Sequence, residues 1–357
     1  MWSVIGTISG TSADGIDIAE IETDGRTVVR FGPSATVDYA YETRAAVLEA
    51  ISNGPACLEN WPEVAALVTR DHESAIRQFV SENSLSPDLA VFHGQTVWHD
   101  PKRGETVQLG EPKTLAEGLG IPVVGDLRLA DMVLGGEGAP LVPVYHQALS
   151  MDLPQPLCFL NIGGVSNLTY VDGSTLIAFD IGPGNALLDD WIRQHQAGEF
   201  DSDGSHSAKG TADRSWLQKA LQHPYFERPG PKSLDRNAFP LDLGEQVSLE
   251  DGASTLVSFT AEAVARSVRL LPQSPKLWIV CGGGRLNKTL LMELADRLDG
   301  DVKTSEDFGF DGDAMEAQAM AFLGARCLAG LPTSYPETTG ASKPVVGGKR
   351  FDPSGKM

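Results

Sequence analysis

Between Trp2 and Phe31 the chain sets short β-branched runs against small polar turns: "WSVIGTIS", "GIDIAEIE" and "RTVVRF", separated by "GTSADG" and "TDG". Runs of this kind, bounded by Gly, Asp and Ser, predict three strands. Helical spacing follows from Tyr41 to Ser52 and from Pro62 to Asn83. Next come strands "LAVFHG" and "TVQLG", a short helix "KTLAEGLG" ended by Gly120, and a buried strand "IPVVGDL". The order returns from Leu157: strands "LCFLNIGG", "SNLTYVD" and "STLIAFDIG", then a helix from Asn185 to Gln196. A long helix Leu249 to Leu271, the strand "KLWIVCGGG", a helix Leu286 to Leu298, a short strand near Val302 and a last helix Ala314 to Leu328 complete the pattern.

The halves share a βββαβα plan, and each first strand ends in a glycine-bearing turn, "SGTSADG" in one and "IGGVSN" in the other. This α/β plan resembles the actin-like ATPase (ribonuclease H-like) fold, which includes actin and the sugar kinases. It predicts two lobes with a nucleotide and sugar cleft between them. The expected boundaries are 1–127 for the N-terminal lobe and 128–314 for the C-terminal lobe, with 315–357 as a candidate to complete the first. The stretch after Leu331 loses periodicity and gains Pro, Gly, Ser and Lys, so a tail lying over the surface is expected. Two unrelated α/β domains are the alternative.

Length and composition narrow the partners. A chain of 357 residues exceeds the size at which single cores stop growing, so two domains are expected. With 28 Lys and Arg against 48 Asp and Glu, the charge of −20 argues against a nucleic-acid surface. Cys57, Cys158, Cys281 and Cys327 lie far apart without a CxxC pair, which predicts free buried thiols rather than zinc ligands or disulfides. No charged start with a following apolar stretch precedes the first strand, and no run of eighteen apolar residues occurs, so a cytoplasmic protein away from membranes is expected.

Neither a GxxxxGK[ST] loop nor a GxGxxG turn is present. Instead four glycine loops recur where the duplicated plan places strand ends: Gly6 to Gly15, Gly163 to Asn167, Gly182 to Asn185 and Gly282 to Gly284. Backbone amides in such turns form anion nests, and a helix that starts directly afterwards adds its positive end. Asp14 is a candidate Mg²⁺ ligand, since magnesium takes one or two carboxylates and keeps its waters; Asp14 and Asp17 could equally stabilise the turn. Asp180 interrupts the apolar strand "LIAFDIG" at its C-terminal end, which marks it as the candidate general base. Gln95 and Thr96 offer donors and acceptors for sugar hydroxyls. Arg128 could grip a carboxylate or pair internally with Asp126 or Asp131. His93 and His99 lack a third ligand for zinc, and His93 is expected to orient a turn.

The sequence resembles the anhydro-N-acetylmuramic acid kinase family. The resemblance rests on "GTISGTSADGID", "HGQTVWH", "LGEPKTLAEGLGIPVVGDLRLADMVLGGEGAPLVPVYH", "NIGGVSNLT", "FDIGPGNALLDDW", "DSDGSHSAKG", "GPKSLDRNAF" and "CGGGRLNKTLLMEL", in family order along nearly the whole chain. Glu137 departs from the Gln of the family's "GGQGAP", and "SLDRNAF" from its "STGREYF"-type run. The resemblance implies ATP and Mg²⁺ as cofactors and a small amino sugar as partner, with a homodimer left open. It implies cleavage of the 1,6-anhydro bond of anhydro-N-acetylmuramic acid and phosphorylation of the released O6, giving N-acetylmuramic acid 6-phosphate in cell-wall recycling.

Carried over by position, Asp180 is the base, and Gln95, Thr96, Arg128 and Glu316 lie near the sugar. Gly10, Thr11, Ser12, Asp14, Gly163, Gly164, Asn167, Gly182, Gly184, Gly283 and Asn287 surround the nucleotide. An anhydro sugar has no free hydroxyl at O6, so water must attack the anomeric carbon while O6 leaves toward the γ-phosphate. The competing readings are a conventional hexose or amino-sugar kinase, an actin-like regulatory ATPase and a non-enzymatic sugar-binding protein.

Overall fold

A computed structural model describes residues 1–10, 12–54, 61–234, 238–239, 242–244 and 246–355; Thr11 and Cys57 therefore lie outside the described residues. The chain divides into two compact units, Met1–Leu149 with Asp313–Met357, and Ser150–Gly312.

In the first unit, β1 (Trp2–Ser9), β2 (Gly15–Thr23) and β3 (Val28–Asp38) form an antiparallel meander. Helices α1 (Tyr41–Asn53) and α2 (Trp61–Glu82) lead to β4 (Leu89–Asp100), which runs parallel to β1. Strand β5 (Glu105–Leu109) folds back on β4, α3 (Pro112–Leu119) follows, and β6 (Val123–Gly125) returns parallel to β4. Ile5, Ile16, Val68, Phe79 and Phe92 are among the side chains of the core that these helices close over the sheet. Short helices α4 (Leu129–Val133) and α5 (Pro143–Leu149) come next. They are too brief for periodicity to reveal, and they group with the first unit, so the segment 128–149 falls there and not with the second half.

The second unit repeats the plan. Strands β7 (Leu157–Ile162), β8 (Val165–Asp172) and β9 (Thr175–Pro183) form the meander. Helices α6 (Ala186–Gln194), α7 (Arg214–Ala220) and α8 (Leu249–Ser267) precede β10 (Leu277–Cys281), parallel to β7. Helix α9 (Lys288–Arg297) then leads to β11 (Asp301–Thr304), parallel to β10. Trp278, Phe179, Trp191, Phe259 and Leu290 are among its core residues. The strand order is β11-β10-β7-β8-β9, matching β6-β4-β1-β2-β3 of the first sheet. Two such sheets, each three antiparallel strands extended by two parallel ones, make the actin-like, ribonuclease H-like fold.

Helix α10 (Met315–Leu328) packs on β1, β2 and β4. A Cβ at Gly6 would lie 2.0 Å from the Ala317 carbonyl oxygen and 2.4 Å from the Ala321 nitrogen, so the helix touches the bare backbone of β1. Glycine weakens a strand interior, and here the close approach of another backbone accounts for it. The tail is more ordered than its composition suggests. After α11 (Pro336–Thr339), β12 (Lys349–Phe351) joins the sheet edge antiparallel to β6, with Arg350 opposite Val124. Cys158 and Cys281 are free and buried, and Cys327 is free and half-buried. Among the described residues no helix is long and apolar enough to cross a membrane.

Candidate active site

In the second unit the strand register assembles what the chain holds apart. Asn161 of β7 lies opposite Asn167 of β8, and Asn167 lies opposite Asp180 of β9. Directly paired residues in adjacent strands share a face of the sheet. A row of one carboxylate and two amides, all half-buried, therefore crosses the meander. Asn167 and Asp180 are among the residues expected from the sequence and Asn161 is not, although "LCFLNIGG" is broken by a polar residue just as "LIAFDIG" is.

Three glycine loops converge beside this row. The amides of Gly184 and Ala186 donate to the Gly164 carbonyl at 3.0 and 3.2 Å, and that of Asn185 donates to the Gly163 carbonyl at 2.7 Å. A Cβ at Gly184 would stand 2.2 Å from the Gly163 oxygen, so only glycine permits this zippering. Gly282 sits at φ +71°, where a Cβ would also strike the Asn161 side chain at 2.3 Å. Gly182 differs: its bare Cα makes room for Phe226 and Ala263 in the core.

Asn185 and Asn287 stand at the N-caps of α6 and α9, and the Asn287 side chain accepts the Leu290 amide at 2.9 Å. Both line a cavity of about 300 Å³ together with Asp189, Phe200, Gly283 and Leu286. Exposed Phe200 and Leu286 give it apolar surface. Backbone amides, two helix starts and apolar walls suit a nucleotide.

Asp180 is held on several sides. Its amide donates to the Lys232 carbonyl at 2.9 Å, its carboxylate Oδ2 accepts the Leu234 amide at 2.8 Å, and its own carbonyl accepts the Tyr225 hydroxyl at 2.7 Å. These bonds fix where the carboxylate stands, and a general base must be positioned within hydrogen-bond reach of the proton it takes.

The first unit carries the remaining candidates. The β1–β2 loop exposes Gly10, Ser12 and Asp14, and Ala13 occupies the left-handed region at φ +53°, a strained conformation for a residue with a Cβ. Asp14 pairs with Arg44 at 3.2 Å. Among the described residues no group of three or more His, Cys, Asp and Glu could hold a metal ion. A single exposed carboxylate nevertheless fits Mg²⁺ carried in with phosphates, because that ion keeps most of its water.

Gln95 is tied into the first glycine loop. It is fully buried; its amide nitrogen donates to the carbonyls of Gly10 and Thr96 at 3.1 and 3.2 Å, and its oxygen accepts the Tyr39 hydroxyl at 3.3 Å. Both amide hydrogens are thereby engaged, so Gln95 braces the glycine loop. Thr96 is half-buried in β4 and accepts from Gln108 at 3.3 Å. His93 likewise lies inside β4, which extends past the expected turn because residues 95–100 pair with β5.

Arg128 donates through Nε to His93 Nε2 at 3.0 Å and through Nη1 to the Gly138 carbonyl at 2.6 Å. A guanidinium only donates, so His93 Nε2 must be the acceptor and its Nδ1–H donates to the Gly94 carbonyl at 2.9 Å. Burial and the Arg128 charge push His93 down to about 3, which keeps it neutral. Burial also lowers Arg128, to about 10, against the opposing pull of Glu316 and Asp131. Among the described residues Arg128 forms no ion pair with Asp126 or Asp131. The Asp131 carboxylate instead accepts from Ser334, from Thr339 at 2.7 Å and from the Gly138 amide at 2.8 Å.

Glu316, in the first turn of α10, belongs to the same neighbourhood. Its side chain is exposed, yet the nearby protein and the charge of Asp17 raise its pKa, while Arg128 lowers it. Asp17 is itself raised, by desolvation and by Asp313, against a hydrogen bond from Thr36. The sequence points to Asp17 only as a metal ligand or turn residue, and its link to Glu316 is not legible in the chain. Glu137, which departs from the family's Gln, uses its main-chain amide to reach the Thr339 carbonyl at 2.7 Å, a bond independent of the side chain. The other departure, "SLDRNAF", lies partly outside the described residues.

Known proteins resemble this chain along nearly its whole length. The family model for anhydro-N-acetylmuramic acid kinase matches residues 2–353. Curated relatives of that name include one from Bradyrhizobium diazoefficiens, 48% identical over 98% of this chain and 98% of its own. Another, from Rhodopseudomonas palustris, is 47% identical over 98% of each chain, and one from Rhodospirillum rubrum is 45% identical over 98% of this chain and 93% of its own. A match of this extent takes in both units, the glycine loops and the polar row, and on it the chain belongs to the anhydro-N-acetylmuramic acid kinase family.

Proposed function

We propose that this protein opens the 1,6-anhydro ring of anhydro-N-acetylmuramic acid with water and transfers the γ-phosphoryl group of ATP to the released O6, giving N-acetylmuramic acid 6-phosphate and ADP in the cytoplasm. The observation that carries the chemistry is the Asn161–Asn167–Asp180 row beside three glycine loops, which sets one anchored carboxylate next to an anion-binding surface.

Asp180 takes a proton from the attacking water. The water oxygen bonds to the anomeric carbon, the bond from that carbon to O6 breaks, and O6 takes the phosphoryl group as its bond to the β-γ bridging oxygen breaks. A positioned general base is worth roughly 10²–10⁴-fold in rate. The amides of the Gly163–Gly164 and Gly283 loops neutralise phosphate charge, the main protein contribution in phosphoryl transfer. Mg²⁺ bound with ATP supplies further neutralisation, and Asp14 is the carboxylate this chain offers it. The adenosine half occupies the cavity lined by Phe200, Leu286 and Asn287. In the first unit, Arg128 offers its guanidinium to the substrate's carboxylate, with Glu316 and Thr96 for its hydroxyls.

Incubation with ATP, Mg²⁺ and the anhydro sugar in ¹⁸O water tests this reading. A sugar 6-phosphate labelled at the anomeric hydroxyl is expected. Label in phosphate would indicate plain ATP hydrolysis, and preference for an open-ring sugar would indicate a conventional kinase.

A further inference from the structure

Lys232 is buried, at 3% exposure, yet the reaction above gives it no task. Its ammonium donates to the Tyr225 carbonyl at 2.9 Å and stands 4.3 Å from the centre of the Tyr225 ring and 5.4 Å from that of Phe179, the residue preceding Asp180. The Tyr225 hydroxyl reaches the Asp180 carbonyl, and the Asp180 amide reaches the Lys232 carbonyl. Lys232, Tyr225 and Asp180 thus form a closed ring of hydrogen bonds, and Leu234, two residues on, binds the carboxylate itself. A buried charge is expensive unless it is compensated, and replacing one by an apolar side chain of similar shape is often neutral or stabilising. Packing alone would favour methionine here.

We propose that Lys232 is a positioning residue for the general base: its ammonium clamps the 231–234 segment against Tyr225 and so fixes the Asp180 carboxylate in place and in its ionised form. The inference rests on Asp180 being the base. The charges acting on Lys232 are those of Asp180 and Glu227, which favour its ammonium form, and of Arg228, which opposes it. Desolvation is the largest influence and brings Lys232 down to about 8, so its charge is present at neutral pH and lost in mild alkali.

The test compares wild type with Lys232→Met, Tyr225→Phe and Asp180→Asn, measuring kcat, both KM values, melting temperature and the pH dependence of kcat. For Lys232→Met we expect a melting temperature no lower than wild type and an unchanged KM for ATP, with kcat down at least about tenfold at pH 7. The acidic limb of its profile should move to higher pH, because a nearby cation favours the carboxylate's ionised form. The wild-type fall above pH 8 should be absent. Tyr225→Phe keeps the ring and breaks one link of the clamp, so a smaller loss of kcat is expected from it; it carries the test should Lys232→Met fail to fold. If Asp180→Asn abolishes turnover while Lys232→Met and Tyr225→Phe keep wild-type kcat and pH profile, the clamp is overturned and the base assignment stands. If Asp180→Asn itself retains turnover, the base assignment fails and takes the clamp with it.

Discussion

At Asp180 and at Asn161 a polar side chain breaks an apolar strand, and that much is legible in the chain; their membership of one row through Asn167 depends on register. Asp180→Asn should keep the KM for ATP within about twofold and reduce kcat by roughly 10²-fold or more, measured by coupled ADP release. Near-normal turnover would remove Asp180 from its role. His93 and Arg128 are separated by 35 residues and joined by a 3.0 Å bond that only the fold reveals. His93→Phe leaves a half-buried guanidinium donor without its acceptor, a loss of about 1.5–3 kcal/mol for a hydrogen bond to a charged group. The expected outcome is a KM for the anhydro sugar raised about tenfold or more, with the KM for ATP unchanged. An equal rise in both would show that the histidine only supports the fold. Gln95 teaches the converse, since an amide suited to sugar hydroxyls by type is occupied by Gly10, Thr96 and Tyr39.

Among the elements, long periodic ones were legible and short or edge ones were not. The expected helix at Pro62 to Asn83 corresponds to α2 at Trp61–Glu82, and the expected long helix ends at Ser267 because the last turn tightens into a 3-10 helix at Val268–Leu270. Strand β12 has three residues, too few for any alternation, and exists because β6 offers an open edge. Helix α10 was legible as a helix, but its seat on Gly6 was not. Gly6→Ala would place a methyl group inside α10 backbone. We expect it to destabilise the protein by about 1–3 kcal/mol, the range for overpacking a core, in urea unfolding. Gly184→Ala should act on the nucleotide loops instead, raising the KM for ATP because its methyl would part the 163–164 and 184–185 segments.

The molecule as a whole carries a pH dependence written into one unit. His72, His93 and His146 are buried in the first unit, and burial pushes them down to about 4, 3 and 3. The unfolded chain binds protons at these groups below about pH 6.5 while the folded chain does not, so stability falls as pH drops from there towards the folded values. Each contributes about 1.4 kcal/mol at pH 5.5, on the order of 4 kcal/mol for the three. Asp17 and Glu316, raised in the fold, work in the opposite direction, since the folded state takes their protons first. Urea unfolding at pH 7.5 and 5.5 should show a clear fall in midpoint that lessens in His72→Phe; equal midpoints would contradict the buried neutral histidines. By itself the sequence determined the duplicated βββαβα plan, the four glycine loops and the anomalous carboxylate at Asp180, because periodicity and backbone freedom are local properties. Only the tertiary structure decided which polar groups meet: the Asn161–Asn167–Asp180 row, the His93–Arg128 bond, the buried Gln95 and the Lys232 clamp. Those contacts join residues distant in the chain through strand register and helix seating, which local pattern constrains to a face but not to a partner.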